Sequence, residues 1–257
     1  MPVGGTDPAS RRPPERLRAA ETALFLDVDG TLLSIESSPD AVTIDGALRA
    51  LLGNLARRLG GALALVSGRS IAALDALLDP LRLPVAGVHG FERRNASGTV
   101  ATRASPQRRS LDEARRQMER WVQAYPRLIL EDKVCALALH YRQLPQLEPA
   151  LVDAVGGIAA HRQGLRVQRG AMVVEIMPAG VDKATAIAEF MAEPPFRGRQ
   201  PVYAGDDLTD EPAFQWVNAA GGISIAVGDT DPTAARSRLG SVEALRRWLR
   251  RLLGEQS

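Results

Sequence analysis

Short, fully apolar runs alternate along this chain with longer segments in which apolar residues recur at helical spacing. The short runs are typical of buried strands in a parallel sheet, and the longer segments of helices that cover such a sheet. In chain order, the pattern predicts a strand at 23–27, a helix at 46–59, a strand at 62–66, a helix at 70–78 and a strand at 84–88. It resumes with a helix at 182–192, a strand at 202–204, a helix at 210–217, a strand at 223–227 and a helix at 242–253. This order predicts an α/β fold whose core is a doubly wound, Rossmann-like parallel sheet.

The pattern changes in the middle of the chain, where strand-like runs follow one another with short connections. The predicted elements there are a helix at 107–124, strands at 127–133 and 136–142, a helix at 146–161, and strands at 165–169 and 173–178. Alternation with tight turns predicts an antiparallel sheet backed by two helices. We therefore expect a smaller α/β domain at 106–177, inserted into a core formed by 21–105 and 178–257. An Arg- and Pro-rich stretch at 1–20 is expected to be a disordered leader.

Composition narrows the class of protein. A chain of 257 residues that is 45% hydrophobic can bury a sizeable core. Its 32 Lys and Arg nearly balance its 30 Asp and Glu, and no basic run with interleaved aromatics indicates nucleic-acid binding. The one cysteine, Cys135, excludes an internal disulfide, fits a reducing compartment and lies in an apolar stretch, where it is expected to pack in the core.

Targeting features are not evident in the sequence. No run approaches the roughly 20 apolar residues that span a membrane, and the leader lacks the apolar region of a secretory signal. We therefore expect a cytoplasmic protein with no nucleic-acid or membrane partner. The sequence itself does not specify the oligomeric state, and we take a monomer as the expectation.

An acidic segment, Asp27-Val28-Asp29-Gly30-Thr31, directly follows the first predicted strand. Ligands bind at the carboxyl ends of the strands in open α/β sheets. Two carboxylates beside Gly-Thr suit a magnesium ion, a nucleophilic carboxylate and a second carboxylate that transfers protons. The alternative interpretation is an ordinary solvated Asp-Gly turn, which is common.

Other polar residues occupy comparable places. Ser67 follows the second strand and Asp206-Asp207 the strand at 202–204, although Ser67 could simply cap the next helix and the two acids could form a plain loop. The only lysines are Lys133 and Lys183, since every other basic residue counted is Arg. Lysines that persist against such a bias are candidates for positions where a compact ammonium is needed, with chance survival as the alternative.

Four of these segments, in this order, resemble the motifs of the haloacid dehalogenase superfamily of phosphatases. They are Asp27–Thr31, Ser67, Lys183 at the start of a helix, and Gly205-Asp206-Asp207. An insertion between the second and third motifs resembles the subgroup that carries a large α/β cap. The resemblance implies a core of that superfamily's type with the inserted domain as a cap for substrate specificity.

Further segments are similar to trehalose-6-phosphate phosphatases. They are His89-Gly90-Phe91-Glu92-Arg93-Arg94, Lys133 ahead of Leu139-His140-Tyr141-Arg142, Val174–Pro178, and Gly205–Glu211 followed by Phe214. The resemblance covers about 22–250. One departure is Ala184, where the family pattern has Gly after the lysine, and a methyl group at a helix start should be tolerated.

The resemblance implies magnesium-dependent hydrolysis of trehalose 6-phosphate to trehalose and inorganic phosphate, through an aspartyl-phosphate intermediate. Asp27 would be the nucleophile and Asp29 the general acid and then base. Lys183 would place a positive charge beside the phosphoryl group. Mg²⁺ would be held by Asp27, the backbone carbonyl of Asp29 and Asp206, with Asp207 as a further ligand or the holder of a metal-bound water.

The same resemblance implies a set of substrate contacts. In the core they are Asp27, the N–H groups of the loop from Val28, Asp29, Thr31, Ser67, Gly68, Arg69 and His89; in the inserted domain they are Glu131, Lys133, Arg142 and Glu175. Thr31 would either hold Asp29 or contact phosphate. His89 could equally be a structural histidine, and Lys133 could form only a cross-strand salt bridge with a Glu.

Three other functions fit the sequence less well. A sucrose-phosphate-type phosphatase and a phosphohexomutase share the scaffold, and the mutase would differ by retaining the phosphoryl group. A non-catalytic sugar-phosphate-binding protein is the alternative from another class. The combination of Asp27, Asp29, Lys183 and Asp206 argues against it, because a pure binder has no use for a nucleophile.

Overall fold

A computed structural model of the chain describes residues 12–35, 43–103, 108–133, 136–170 and 172–254. The chain divides into two compact units, a core unit of Met1–Ala101 with Asp182–Ser257 and an inserted unit of Thr102–Val181. Cys135 and residues 1–11 of the expected leader lie outside the described residues.

The strands and α-helices follow one another in the order expected of an α/β protein. The strands are β1 Thr22–Leu26, β2 Leu63–Val66, β3 Val85–Gly87, β4 Glu92–Arg94, β5 Val100–Thr102, β6 Ile129–Asp132, β7 Leu137–His140, β8 Leu165–Gly170, β9 Val173–Pro178, β10 Gln200–Gly205, β11 Ile223–Val227 and β12 Ser237–Leu239. The helices are α1 Gly46–Arg58, α2 Ile71–Leu78, α3 Arg108–Ala124, α4 Glu148–Ala160, α5 Lys183–Met191, α6 Glu211–Ala219 and α7 Val242–Leu252.

The core unit is built on one sheet with the strand order β12-β11-β10-β1-β2-β3-β4-β5. Strands β12 to β3 pair in parallel, and β4 pairs antiparallel with β3. Helix α1 packs against α7, and α5 against α6. The predicted doubly wound α/β fold is confirmed, with an antiparallel extension at one edge.

Strand β1 lies at the centre of this sheet, and all five of its residues are buried. It pairs with β10 on one side and β2 on the other. The chain order changes direction between β1 and β10, and such a switch point opens a crevice at the carboxyl ends of the strands. The segments after β1 and β10 therefore meet at the edge where ligands bind in such sheets.

Three short strands are absent from the sequence prediction. Strands β4, β5 and β12 have three residues each, with the sequences Glu-Arg-Arg, Val-Ala-Thr and Ser-Arg-Leu. None of them is an apolar run, and their pairing in the tertiary structure decides their conformation.

The inserted unit is an antiparallel sheet with two helices. Its strand order is β6-β7-β9-β8, and each neighbouring pair is antiparallel. Helices α3 and α4 contact each other and these strands. A separate apolar cluster joins the helices to one face of the sheet, with Leu137, Leu139, Val174 and Ile176 among its members. Since side chains alternate along a strand, Ala138 and Glu175 lie on the opposite face.

Residues 12–20, which the sequence analysis assigned to a disordered leader, contact the core unit. The indole Nε1 of Trp248 donates to the Pro14 carbonyl at 2.8 Å, and Leu17 packs against the core cluster. Apolar contacts and a buried donor that needs an acceptor hold this stretch on α7. Among the described residues, no helix is long and apolar enough to cross a bilayer.

Candidate active site

The crevice between β1 and β10 holds a cluster of carboxylates. Asp27 directly follows β1, and its N–H donates to the Ala204 carbonyl on β10 at 3.0 Å. Asp206 directly follows β10. Oxygens of Asp27, Asp206 and Asp210 lie within 4.8 Å of one another. The strand pairing itself thus brings the first and last acidic motifs together.

Gly30 allows this close approach. Its φ is +83°, and a Cβ built at this position would lie 1.9 Å from Asp206 Oδ2. No other residue type fits there unless the carboxylate of Asp206 moves, and positive φ adds strain for any L side chain. Thr31, fully buried, donates its hydroxyl to Asp206 Oδ1 at 2.8 Å. Thr31 therefore holds Asp206 here, a partner that the sequence analysis did not consider.

Lys183 is the cation at the centre of the cluster. Asp182 caps the start of α5 by accepting from the N–H of Thr185, so the first residue of the helix is Lys183. Its Nζ donates to Asp27 Oδ1 at 2.8 Å and to Asp210 Oδ1 at 2.5 Å. The residue is only 3% exposed. A buried ammonium is stable only when paired, and two carboxylates pair with this one.

Asp210 organises the loop after β10. Its Oδ2 accepts from the N–H groups of Asp206 and Asp207, both at 2.9 Å, and its Oδ1 accepts from Lys183 and from the Tyr203 hydroxyl. Its side chain does not cap α6. The sequence analysis quoted Asp210 only within the segment Gly205–Glu211, and it selected neither Asp210 nor Tyr203 as a site residue. The position of Asp210, four residues after Asp206, could have indicated its role, because a carboxylate at that spacing can accept from the N–H groups of the preceding turn.

Burial and crowding of like charges shift the titration of these groups. Burial raises the pKa of Asp27 well above its usual range, the Lys183 ammonium opposes this, and Asp210 and Asp206 add to it. Burial, followed by the charge of Asp210, raises the pKa of Asp206 to about 7. Burial disfavours the charged form of Lys183, but Asp210 and Asp27 outweigh it and raise its pKa. Burial and the same carboxylates raise the pKa of Tyr203, so its hydroxyl remains a donor.

These properties fit a divalent cation with oxygen ligands. The carboxylates of Asp27 and Asp206 lie close together, and the single ammonium of Lys183 does not neutralise both. A cation bound between the two carboxylates would lower the pKa of each. The hydrogen bonds to Asp210 already engage both of its oxygens. Asp207, predicted as a ligand or water holder, directs its Oδ1 to the N–H of Leu208 at 2.6 Å. Asp27 and Asp206 are thus the side chains best placed for a metal.

Asp29, the second carboxylate of the first motif, is bound by Arg69. The guanidinium donates from Nε to Oδ2 and from Nη2 to Oδ1, each at 2.7 Å. Arg69 belongs to the segment after β2, where Ser67 Oγ accepts from the Arg69 N–H at 3.1 Å. The helix cap of α2 is Ser70, so the alternative that Ser67 caps this helix is not what the structure has.

A strained turn fixes the same segment from the β3 side. Val88 and His89 have φ values of +46° and +56°, and their N–H groups donate to the carbonyls of Arg69 and Ser67. Positive φ is a genuine outlier for a β-branched residue and is retained where surrounding contacts enforce it. His89 is buried. Glu92, which sequence reasoning did not select, accepts from the Ile71 N–H at 2.7 Å and so anchors the start of α2.

The inserted unit has its own polar cluster on the sheet face opposite its helices. Lys133 Nζ lies 2.6 Å from Glu175 Oε1 and 3.9 Å from Glu131 Oε2. His140 Nε2 lies 2.9 Å from the same Glu131 oxygen. Glu131 and Glu175 flank Ala138 in register on the strand between them, and its small side chain leaves space.

Lys133 and Glu175 form the ion pair that the sequence analysis offered as an alternative to sugar binding. Both residues are buried, and Glu131 is half-buried. Burial opposes ionisation of Glu131, but the hydrogen bond with His140 and the charge of Lys133 lower its pKa. Arg142 is half-buried in the turn after β7. His140 lay within a quoted motif but was not selected as a site residue.

The fold places this chain among α/β proteins of known structure. It is similar to that of a phosphatase of the haloalkanoate (HAD) enzyme superfamily from Bacteroides thetaiotaomicron, with a TM-score of 0.59, 17% identity and coverage of 99% of this chain and 98% of that one. The profile of the trehalose-phosphatase family matches residues 25–243. The chain therefore belongs to the trehalose-phosphatase family.

Relatives of known name agree with this assignment. The chain is 45% identical over 231 residues to a trehalose-6-phosphate phosphatase of Escherichia coli, covering 90% of this chain and 86% of the relative. It is 42% identical over 229 residues to a probable trehalose-phosphate phosphatase of Sinorhizobium fredii, covering 87% and 84%. Its fold is similar to the C-terminal domain of C. albicans trehalose-6-phosphate phosphatase, with a TM-score of 0.83, 20% identity and coverage of 92% and 93%.

Proposed function

We propose that this chain hydrolyses trehalose 6-phosphate to trehalose and inorganic phosphate, with Asp27 as the nucleophile. The observation that carries the proposal is the buried Asp27 carboxylate, whose Oδ1 accepts from the Lys183 ammonium at 2.8 Å in a chain of the trehalose-phosphatase family. A phosphomonoester is a dianion, so a carboxylate can attack it only where positive charge offsets the repulsion.

In the first step, the other oxygen of Asp27 attacks phosphorus in line, and the bond from phosphorus to the sugar oxygen breaks. The electron pair of that bond stays on the sugar oxygen, which needs a proton to leave as an alcohol. Lys183 offsets the charge on the phosphoryl oxygens. The phosphoryl group also accepts hydrogen bonds from Ser67, from Gly68 and from the N–H groups of the loop that starts at Val28.

Asp29 supplies that proton and takes one back. In its acid form it protonates the sugar oxygen, and in its base form it removes a proton from the water that attacks the aspartyl phosphate. Arg69 donates one hydrogen bond to each Asp29 oxygen, and each oxygen keeps a further lone pair that can carry the transferred proton. Arg69 and His89, whose N–H groups donate to Ser67, are proposed to contact the substrate beside it.

We propose Mg²⁺ as the metal, which Asp27, Asp206 and the backbone carbonyl of Asp29 would hold, with Asp207 as a further ligand or the holder of a water. When bound, it would neutralise charge on the nucleophile and on the transferred group. Gly30 and Thr31 prepare this site, because one makes room for the Asp206 carboxylate and the other orients it.

Specificity for the sugar is assigned to the inserted unit. Glu131, Lys133 and Glu175 are charged groups on one sheet face, and Arg142 follows the strand beside them. Hydroxyl groups of a disaccharide bind well to such charged pairs, because each hydroxyl can donate to a carboxylate and accept from an ammonium or guanidinium. We propose that these four residues bind the glucose units.

The setting of the proposal is a monomeric, cytoplasmic enzyme whose partner is a small molecule. The near balance of charge, without a basic run with interleaved aromatics, supports the absence of a nucleic-acid partner.

The experiment is phosphate release from a panel of sugar phosphates, with Mg²⁺ and then with excess chelator. Strong preference for trehalose 6-phosphate and loss of activity in chelator support the proposal. Turnover of sucrose phosphate or a hexose phosphate in preference would discard the assignment of the inserted unit. An isomerised sugar phosphate without phosphate release would favour a mutase, and binding without turnover would favour a non-catalytic protein.

A further inference from the structure

The buried hydroxyl of Tyr203 has no part in the mechanism above. Tyr203 lies on β10, is 0% exposed, and its ring packs on Phe214 with the ring centroids 5.6 Å apart. Its hydroxyl donates to Asp210 Oδ1, the same oxygen that accepts from Lys183. A buried hydroxyl needs a partner, yet this one uses an acceptor that is shared with the catalytic lysine.

Hydrogen bonds and close contacts hold the Asp210 carboxylate in one orientation. Its Oδ2 accepts from two N–H groups of the loop, and a Cβ on Gly205 would lie 2.4 Å from its Cγ. The carboxylate therefore sits directly over the end of β10. With Oδ2 held by the backbone, the direction of Oδ1 and the charge that it presents depend on Lys183 and Tyr203.

Lys183 divides its ammonium between two acceptors, at 2.8 Å from Asp27 and 2.5 Å from Asp210. A lysine is a point charge on a flexible stem, so the balance between its acceptors sets where the ammonium lies. A hydroxyl that donates to Asp210 Oδ1 satisfies part of that oxygen's accepting capacity. Without it, Asp210 would attract Lys183 more strongly, and the ammonium would move away from Asp27.

We propose that Tyr203 is a positioning residue that acts through Asp210 to keep the Lys183 ammonium against Asp27. The inference rests on the proposed function for the identity of the nucleophile. Because phosphoryl transfer depends on charge placed beside the reacting group, the hydroxyl should influence the chemical step and not substrate binding.

The test compares Tyr203→Phe, which removes one oxygen, with Ser224→Ala as the matched control. Ser224 is the register partner of Tyr203 on β11, is also 0% exposed, and donates to Asn218 away from the carboxylate cluster. Tyr203→Phe should lower kcat about tenfold or more with KM nearly unchanged, as expected for a lost hydrogen bond to a charged group. Ser224→Ala should keep the kcat of the parent chain.

A second pair of variants tests the route through Asp210. In an Asp210→Asn background, adding Tyr203→Phe should cause little further loss of kcat, because residues that act as one unit are not additive. Equal kcat losses in Tyr203→Phe and Ser224→Ala, unchanged kcat in Tyr203→Phe, or fully additive losses in the double variant overturn the inference.

Two precautions keep the outcome decisive. If Tyr203→Phe does not fold, Asp210→Asn weakens the same route at the acceptor that Tyr203 and Lys183 share, and unchanged kcat there overturns the inference. Each assay is repeated with para-nitrophenyl phosphate, which needs no sugar contacts. Loss of turnover on this substrate in Tyr203→Phe supports the inference even if trehalose 6-phosphate proves not to be a substrate. A chain that hydrolyses neither compound contradicts both proposals.

Discussion

The Lys183 Nζ lies 2.8 Å from Asp27 Oδ1, although the two residues are 156 positions apart in the chain. The contact exists because β1 ends at Leu26 and α5 begins at Lys183 on the same side of the sheet edge. Both residues are buried, so their attraction is little screened by water. The ion pair therefore contributes to the stability of the core unit and also to the charge at the proposed nucleophile.

Removing the ammonium should therefore affect both stability and turnover. Lys183→Met leaves Asp27 and Asp210 as buried carboxylates without their cation, a loss of about 3–5 kcal/mol of unfolding free energy for a broken buried pair. We expect kcat for phosphate release to fall by at least about 100-fold, as for loss of a preorganised charge at the reacting group. Denaturant unfolding and steady-state kinetics measure the two effects. Near-normal kcat would remove Lys183 from the mechanism.

Lys133 provides the contrast, as the other lysine of the chain. It pairs with Glu175 at 2.6 Å in the inserted unit. Lys133→Met should raise KM for trehalose 6-phosphate about tenfold or more, since a charge-assisted hydrogen bond to the sugar is lost. Turnover of para-nitrophenyl phosphate should change little. An unchanged KM for trehalose 6-phosphate would show that Lys133 does not bind the sugar and serves only in the ion pair with Glu175.

A comparison of Gly30→Ala with Gly98→Ala distinguishes the effect of steric contact from the effect of backbone strain. The φ values of the two glycines are +83° and +87°, but a Cβ at Gly30 would overlap the Asp206 carboxylate, whereas a Cβ at Gly98 meets nothing within 4 Å. Both Gly→Ala variants should lose about 1 kcal/mol or more of stability through the left-handed backbone. Only Gly30→Ala should also lose activity and weaken Mg²⁺ dependence, because Asp206 must move. Equal activity of the two variants would contradict the role assigned to this contact.

The carboxylate cluster also predicts how stability depends on pH without metal. The pKa of Asp206 is raised from its ordinary 3.8 to about 7, so the folded chain binds more protons than the unfolded chain between these values. Unfolding free energy should therefore fall as pH rises from about 4 to about 7, and remain low above it.

Thermal unfolding in excess chelator, with and without Mg²⁺, measures this dependence. A bound divalent cation favours the ionised carboxylates, so Mg²⁺ should raise the melting temperature more at pH 8 than at pH 5. Asp206→Asn should flatten the pH dependence in chelator and reduce the stabilisation by Mg²⁺. A melting temperature in chelator that rises steadily through this window would show that the cluster is ionised already.

Much of the fold could be predicted because the strands that form its centre are apolar runs. The five residues of β1 are buried on both faces, and such a strand has little alternative to the middle of a parallel sheet. Strand β12, in contrast, contains Arg238 between Ser237 and Leu239, and its pairing with β11 could not be predicted from three residues.

The site could be predicted only where motifs sit directly at strand or helix ends. Asp27 follows a predicted strand and Lys183 starts a predicted helix, and the structure brings these two side chains into contact. The partners of Asp29, Asp206 and Asp210 depend on side-chain contacts between segments far apart in sequence, such as Thr31 to Asp206 over 175 positions. No periodicity encodes these contacts, because each follows from the packing of loops at the sheet edge.

The most direct test of Asp27 as the nucleophile is an acid-quenched single turnover with trehalose 6-phosphate, followed by peptide mapping of the chain. We expect a transient phosphoryl group on the peptide that contains Asp27. We expect none in Asp27→Asn, which should still bind the sugar phosphate without turning it over. Phosphate release with no phosphorylated Asp27 at any quench time, or substantial turnover by Asp27→Asn, would contradict the assignment of Asp27 as the nucleophile.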